Sequence, residues 1–424
     1  MFIIENQTLF TGIDLANEYS HISCYDEALF EPVSICENEE EDSFQIPTVL
    51  AAKQENQQWY IGRQALEEAA VQNIPLLTNI IQKIIHQEPI TYYDKIWSPE
   101  QILAKYFRKL LTLVQKKYPG KNIAMLTITI GRWTKELKDA VEEALKMLGF
   151  TKNRMQVISH QQSYMYYALS QKRELWQNDV GLFDYNEEGL SFYQLCVNRR
   201  TTPTTVGVEK KDFSDLLTYE MKEQITDVSE LQYMFDNITK KALHKKVIST
   251  IYVTGKGFRG GWANKVLEGL CTGRRVFMGQ NLYSAGACYG SREAAGEGNL
   301  SEYLYLSEEM VLVNISAKLY HDTEMIKYGL CHAGAMWYDV KSTIEVIPDE
   351  ETELEVEIYN VIDQSSTIHF IHIDPIVGRP PKATILEISL RFFNSTACVL
   401  KVKDRGFGEL YPSTSRIWEK EIHL

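Results

Sequence analysis

The chain has 424 residues, of which 44% are hydrophobic and 11% aromatic, a composition typical of globular proteins and unlike disordered or collagen-like chains. Its 57 acidic and 44 basic side chains give a net charge of −13. The longest charge run, at 37–42, is acidic and indicates a solvated loop. Because no basic block interrupts this balance, nucleic-acid binding is not expected.

Membrane insertion and secretion are also not expected. No segment approaches the roughly 18 consecutive apolar residues of a membrane helix, and the start of the chain lacks the basic and apolar regions of a signal peptide. The seven cysteines are scattered without a C-x-x-C pair, which argues against zinc ligation and a disulfide framework. The sequence therefore predicts a cytoplasmic protein without a membrane span.

The first part of the chain alternates between strand and helix patterns. In chain order, the patterns predict strands at 8–13, 20–25, 28–36 and 46–51, a helix from Pro99, a strand at 122–130, a helix at 137–148, a strand at 155–158 and a helix at 161–169. The first three strands form a meander. Ser98 and Gln101 have capping-box spacing around Pro99, which favours a helix start there.

A similar order of elements then begins again. The patterns predict strands at 180–183, 190–197 and 204–208, helices at 211–225 and 229–243, a strand at 247–253 and a helix at 262–270. Two halves of similar order indicate an internal duplication. We therefore predict two α/β lobes, at 1–170 and 171–298.

The pattern changes after about residue 300, where strand-like segments dominate. These lie at 310–319, 341–346, 352–359, 368–373, 385–393 and 397–402. The glycine-containing segment 294–299 marks the boundary. The predicted organisation is an α/β domain at 1–298 followed by an all-β domain at 299–424.

Several short motifs occur in the order found in one known superfamily. Gly12-Ile13-Asp14-Leu15, Gly181-Leu182-Phe183-Asp184, 251–257 and 283–287 resemble the first phosphate, second phosphate, adenosine and second connecting segments of the superfamily of actin, sugar kinases and DnaK-type chaperones. Further matches at 46–49, 60–65, 128–150, 374–381, 386–390 and 399–408 are closest in layout to the chaperones. The resemblance implies a duplicated, actin-like (ribonuclease H-like) two-lobe domain followed by a β-sandwich resembling a chaperone substrate-binding domain, without the helical lid.

The resemblance also implies a nucleotide cleft for ATP or ADP with Mg. Asp14 and Asp184 would hold the metal ion through water. The cofactor-binding positions carried over from the family are Asp14, Leu15, Ala16, Asn17, Asp184, Asn186, Gly255, Lys256, Gly257 and Gly286. No catalytic residue is assigned, because Ser159-His160-Gln161-Gln162 stands where the chaperones carry a Glu and a Pro.

The phosphate motifs depart from the family pattern. Glycines let main chain approach a phosphate at positive φ, and Ala16 would be strained in that conformation. Glu18, Glu187 and Glu188 would place negative charge near the phosphates, and two like charges about 4 Å apart repel by ~4 kcal/mol near a protein surface. Weak or lost nucleotide hydrolysis is therefore expected.

Structural alternatives accompany each assignment. Asp14 is equally a turn-forming acid at a strand end, and Asp184 fits an Asx turn in a tight hairpin. The loop at 255–261 fits a plain strand-to-helix connection, and His160 fits a polar helix-start residue.

Three functions follow from the sequence. The first is a binding or assembly module with a protein or peptide partner and little or no ATPase activity. The second is an ATP-dependent chaperone-type ATPase with altered phosphate loops. The third is a filament or divisome-type scaffold. The β domain is either a peptide-binding or a structural element, and the sequence does not define the oligomeric state.

Overall fold

The computed structural model describes residues 8–37, 44–54, 58–200, 203–307, 310–321, 324–348, 353–361 and 365–424. Most of the predicted acidic loop at 37–42 and the start of the chain lie outside these residues. The chain forms two compact units: Met1–Cys196 with Lys210–Glu302, and Val197–Glu209 with Tyr303–Leu424.

The first part of the chain is built on a mixed sheet. Its elements are β1 (Thr8–Leu15), β2 (Tyr19–Asp26), β3 (Glu31–Ile35), β4 (Ile46–Pro47), β5 (Leu50–Ala52), β6 (Trp59–Ile61), α1 (Gly62–Gln72), α2 (Ile80–Ile85), β7 (Ile90–Tyr92), β8 (Lys95–Trp97), α3 (Pro99–Lys117), β9 (Asn122–Ile130), α4 (Lys135–Met147), β10 (Met155–Ser159) and α5 (His160–Leu169). The main sheet has the order β10-β9-β1-β2-β3. β1 pairs antiparallel with β2 and parallel with β9, which pairs parallel with β10. The predicted meander is confirmed.

The two faces of β1 have different surroundings. Leu9, Ile13 and Leu15 pack into the hydrophobic core with α3 and α4. Asp14 points to the opposite face, because side chains alternate along a strand. The predicted start of α3 is confirmed, since the capping box of Ser98 and Gln101 is formed.

The next part of the chain forms a second mixed sheet. Its elements are β11 (Asp179–Asn186), β12 (Gly189–Asn198), β13 (Thr204–Asp212), α6 (Tyr219–Gln224), α7 (Val228–Leu243), β14 (Ile248–Thr254), α8 (Asn264–Leu270), β15 (Arg275–Met278) and α9 (Leu282–Ala294). β11 pairs antiparallel with β12 and parallel with β14, which pairs parallel with β15. These pairings repeat those of β1, β2, β9 and β10.

One predicted helix is wrong in its first half. The segment 211–218 is not helical: β13 continues to Asp212, and the Phe213 amide donates to the Leu190 carbonyl oxygen at 2.9 Å. Asp212 Oδ1 accepts from the Ser214 amide at 2.8 Å, which turns the chain and leaves the Phe213 side chain buried. Tertiary contacts of Phe213 therefore override the helical pattern.

The C-terminal region is rich in strands, as predicted. Its elements are β16 (Tyr303–Leu306), β17 (Val313–His321), β18 (Glu324–Cys331), β19 (Lys341–Val346), β20 (Glu353–Asn360), β21 (Ser366–His372), β22 (Ile385–Asn394), β23 (Ala397–Gly406) and β24 (Ile417–His423). β16 pairs parallel with β13. Antiparallel sheets of order β18-β17-β20-β21 and β19-β22-β23-β24 share one hydrophobic core. The protein is thus a mixed α/β structure with a strand-rich C-terminal region.

A buried ion pair ties the loop before β22 to strand β23. Arg379 donates to both carboxylate oxygens of Asp404, at 2.7 and 3.0 Å. The same carboxylate accepts from the Gly406 amide at 2.8 Å and from the amide and hydroxyl of Thr414, both at 2.7 Å. The donor–acceptor distances of these hydrogen bonds are all close to ideal, so the negative charge of Asp404 is fully compensated.

None of the helices in the described part of the chain is long and apolar enough to cross a membrane.

Candidate functional site

A buried carboxylate–histidine contact lies at the end of β1. Asp14, which is 5% exposed, accepts a hydrogen bond from His160 Nε2 at 2.7 Å. His160 is the first residue of α5, and the Ser159 hydroxyl caps that helix by accepting from the Gln162 amide. The end of β10 and the start of α5 therefore place the imidazole against the end of β1, two strands away in the same sheet.

The Asp14–His160 contact shifts both pKa values toward the charged forms. Burial alone raises the pKa of Asp14, but the charge and hydrogen bond of His160 outweigh burial and lower this pKa to about 2. Burial lowers the pKa of His160, yet the Asp14 carboxylate raises it above its ordinary value. The contact is a buried ion pair whose positive partner is titratable.

Two further polar side chains surround Asp14. In the sheet register, Asp14 lies opposite His21 on β2 and Thr129 on β9. His21 Nδ1 is 3.6 Å from Asp14 Oδ2. Among the residues that the structure describes, neither His21 nitrogen nor the buried Thr129 hydroxyl has a hydrogen-bond partner. This face of the sheet is therefore polar although it is buried.

Asp184 occupies the corresponding position on β11. It is 3% exposed and accepts a hydrogen bond from the Tyr283 hydroxyl at 2.7 Å. Burial raises the pKa of Asp184 above its ordinary value despite the Tyr283 hydrogen bond. Burial also holds the pKa of Tyr283 well above its ordinary value, so the phenol remains a donor. In the sheet register, Asp184 lies opposite Thr254, as Asp14 lies opposite Thr129.

The two carboxylates are joined through stacked rings. The His160 and Tyr283 rings lie parallel, with centroids 3.7 Å apart and an interplanar angle of 11°. Asp14, His160, Tyr283 and Asp184 thus form one continuous chain of contacts between the two mixed sheets. We call these four residues the cleft network.

Lys256 connects the two hairpin turns next to the cleft network. Its ammonium group forms an ion pair with Glu18 of the β1–β2 turn and lies 3.9 Å from Glu187 of the β11–β12 turn. It also lies 4.3 Å from the centre of the Tyr219 ring. Burial raises the pKa of Glu187 above its ordinary value. The sequence predicts crowding of acidic side chains from the two turns. A lysine of the same chain therefore reduces the repulsion between them.

The glycines beside Lys256 have a steric role. Gly255 has a φ of 99°, which favours glycine, and a Cβ at this position would overlap the Tyr185 backbone. A Cβ on Gly257 would overlap the Tyr185 ring. Both glycines let the turn pack against Tyr185 and so bring Lys256 to the two hairpins.

Gly286 lies where two helices cross. A Cβ on Gly286 would overlap the Ser163 carbonyl group, so α9 and α5 approach each other backbone to backbone. The Ser163 hydroxyl donates to the Tyr283 carbonyl oxygen at 2.5 Å across this crossing. Gly12 plays the same part on β1, where a Cβ would overlap the backbone of α9 at Ser284 and Cys288. These close approaches position Tyr283.

The remaining predicted residues lie in the hairpin turns or at the strand ends next to them. Leu15 is buried in the core of the first sheet, away from the cleft network. Ala16 is not among the described residues with a positive φ, so it avoids the strained conformation that a phosphate-binding turn would require. Asn17 donates to the Asn79 side chain at 3.3 Å. Asn186 donates to Asp184 at 3.3 Å.

Three structural alternatives are decided by these contacts. Asp14 is not a turn residue, because it lies within β1 and binds His160. The Asx turn of the second hairpin belongs to Asn186, whose Oδ1 accepts from the Glu188 amide at 2.9 Å, and not to Asp184. His160 does begin a helix, but its side chain is buried against Asp14.

Sequence reasoning missed His160 and Tyr283 as site residues. His160 follows directly after a short strand. The ends of parallel strands meet at one edge of a sheet, where functional side chains often lie, so this position could have indicated that His160 belongs to the site. Tyr283 gave no such signal, because its approach to Asp184 depends on helix packing at Gly286. Within the described residues, no group of three or more His, Cys, Asp or Glu side chains is arranged to hold a metal ion.

Family comparisons cover nearly all of the chain. Residues 31–308 match the family model described as "Family of unknown function (DUF5716) C-terminal". The chain belongs to this family. Residues 310–424 match a second model, described as "Domain of unknown function (DUF8552)". No curated protein matches the chain. His160, Asp184, Lys256 and Tyr283 lie inside the first matched range, whereas Asp14 precedes it.

Proposed function

We propose that this protein is an actin-like, DnaK-like binding or assembly module in which internal contacts have replaced the nucleotide. The observation that carries this proposal is the cleft network together with Lys256. Both acids that the resemblance assigns to the metal are bound by ring donors of the same chain. A lysine of the same chain pairs with one glutamate from each of the turns that the resemblance assigns to the phosphates.

The repeated strand pairing supports the actin-like part of the proposal. β1 and β11 have the same types of neighbours, and Asp14 and Asp184 each lie opposite a threonine on the parallel neighbour. α5 and α9 follow the last parallel strand of each sheet and cross at Gly286. A duplicated two-lobe domain accounts for these equivalences.

The side chains do not fit a hydrated magnesium ion with a triphosphate. Magnesium needs free carboxylate oxygens and room for several coordinated waters. Asp14 Oδ1 already accepts from His160, and Asp184 Oδ2 accepts from Tyr283. The raised pKa of His160 favours a positive charge beside Asp14, which repels a cation. The cleft is therefore not expected to bind ATP with magnesium.

The strand-rich region supplies the binding surface in this proposal. Its sheets leave edge strands β18, β19, β21 and β24, and an extended peptide adds to such an edge through backbone hydrogen bonds. Apolar side chains on β21 accompany this edge, with Ile368 54% and Phe370 50% exposed. A protein or peptide partner that presents an extended apolar segment fits this arrangement.

Calorimetry with ATP and magnesium tests the proposal. We expect no saturable heat with the wild-type protein and no phosphate release above background. Lys256→Ala serves as the matched variant, because it frees Glu18 and Glu187 to repel phosphate and should not create binding.

Saturable, magnesium-dependent heat in the wild type that disappears in Asp14→Asn would overturn the proposal. That outcome would favour the alternative, an ATP-dependent chaperone-type ATPase with altered phosphate loops. A known ATP-binding protein titrated in the same buffers shows that the measurement detects binding.

A further inference from the structure

The hairpin between β2 and β3 ends in two adjacent exposed apolar side chains. Leu29 is 61% exposed and Phe30 is 74% exposed. Acidic residues flank them: Asp26 and Glu27 precede the pair and Glu31 follows it. We call residues 26–31 the acidic tip.

The acidic tip is held in a defined conformation. Asp26 Oδ1 accepts from the amides of Ala28 at 2.8 Å and Leu29 at 3.2 Å. Phe30 has a φ of 57°, a conformation that Gly and Asn adopt easily and bulky residues rarely adopt. The hairpin therefore carries an exposed aromatic side chain at a backbone position that disfavours it.

A groove of opposite character lies between α7 and α8. Its volume is about 810 Å³, within the roughly 300–1,000 Å³ range of ligand pockets. Leu243 and Leu270 provide apolar lining, and Lys240, Lys265 and Arg274 provide positive charge. We call this the basic groove.

The cations of the basic groove are only partly used within the chain. Lys240 pairs with Asp236 at 2.6 Å. Among the described residues, Lys265 and Arg274 have no ion-pair partner, and the buried Arg274 Nε has no hydrogen-bond partner. The charges of Lys265 and Arg274 are therefore available for carboxylates of a partner.

We propose that the acidic tip of one copy docks into the basic groove of a second copy of this chain. Leu29 and Phe30 would enter the apolar part of the groove, while Glu27 and Glu31 would face Lys265 and Arg274. Each copy carries one tip and one groove, so association is head to tail and yields a ring or an open chain. This inference rests on the proposed assembly role and names a second copy of the chain as the partner. Its test does not involve nucleotide.

Sedimentation velocity of the full chain over a range of concentrations tests this inference. We expect wild-type association that weakens with added salt, because paired charges contribute to it. Phe30→Asn removes the anchor but suits the positive φ, so it should weaken association at least ~10-fold without loss of folding. Val71→Ser, at an 82% exposed apolar position on α1, is the matched control and should leave association unchanged.

A charge exchange identifies the contact directly. Glu27→Lys and Lys265→Glu should each weaken association, and the double variant should recover it, because the opposite charges meet again between copies. A wild-type protein that stays monomeric at high micromolar concentration overturns the inference. Association that is unchanged in Phe30→Asn also overturns it, since another surface must then be responsible. Neither outcome affects the calorimetric test of the nucleotide proposal.

Discussion

Asp404 in the strand-rich unit and Asp14 in the other unit are both buried carboxylates in ion pairs, but their partners differ. Asp404 is bound by an arginine, two backbone amides and a hydroxyl. Asp14 depends on His160, whose charge is titratable, and has the unpartnered groups of His21 and Thr129 beside it. Permanent charge and backbone donors are typical of a structural tie, whereas titratable ring partners make the Asp14 contact adjustable by pH.

The pKa values express the same difference. Burial raises the pKa of Asp404, but the hydrogen bonds from Arg379, Thr414 and Gly406 outweigh burial and hold this pKa far below its ordinary value. Asp14 reaches a pKa of about 2 with His160 as its main partner. Asp184, bound by the neutral Tyr283, has a raised pKa. The charge of the partner, more than burial, therefore determines whether the pKa of each of the three acids is lowered or raised.

The largest expected effect is on the Asp404 ion pair. Arg379→Met leaves a buried carboxylate without its positive partner and should lower the free energy of unfolding of the strand-rich unit by about 3–5 kcal/mol. Urea unfolding measures this change. Arg405→Met is the matched control, because its ion pair with Glu387 at 3.2 Å is solvent-exposed and worth about 1 kcal/mol or less. Equal effects of the two variants would contradict the structural role of Arg379.

The second prediction concerns acid stability. Because the pKa of folded Asp14 is lowered from 3.8 to about 2, Asp14 contributes stability above pH 4 that is lost as the pH falls toward 2. The loss should amount to about 2 kcal/mol in all. Urea unfolding between pH 5 and the lowest pH at which the protein folds measures it. Asp14→Asn should show a correspondingly shallower dependence, and an identical dependence would refute the ion pair.

The third prediction concerns Tyr283. Tyr283→Phe removes the hydroxyl donor from buried Asp184 and should cost about 1–2 kcal/mol of unfolding free energy at neutral pH. The cost should shrink at low pH, where Asp184 is protonated. Tyr233→Phe, at a 69% exposed position, should leave stability unchanged. A Tyr283→Phe protein as stable as wild type at neutral pH would show that this hydroxyl does not support Asp184.

The smallest expected effect is a loss of stability as the pH rises above 6.5. The pKa of folded His160 is raised, so its contribution is complete below pH 6.5 and is lost as the pH rises through the folded value. His160→Gln should remove this slope and Arg379→Met should retain it, because arginine does not titrate in this range. Thermal unfolding followed from pH 6 to pH 9 distinguishes the two. A slope that persists in His160→Gln would assign it to another group.

Much of the fold was predictable because local patterns determine it. The capping box at Ser98 and the alternation in β22 and β23 are short-range signals, and both predictions are confirmed. The edge strands β18 and β24 were not predicted, because each buries only part of one face and has a weak pattern. The duplicated actin-like domain stays a prediction.

The candidate site was only partly predictable, because its contacts join distant parts of the chain. Asp14 and Asp184 were identified from their motifs, but Asp14 and His160 are 146 residues apart and Lys256 and Glu18 are 238 apart. Residue type and spacing do not reveal such pairs. Lys256 was expected to contact a cofactor, and its ion pair with Glu18 became visible only in three dimensions.

The two glycine contacts of α9 have a mechanical consequence. Shear between packed helices requires side chains that exchange rotamers as one surface slides over another. At Gly12 and Gly286 the backbones themselves touch, so no side chain is available to give way. These two close approaches therefore oppose sliding of α9 over β1 and α5, and they keep Tyr283, which α9 carries, in register with Asp184 on β11.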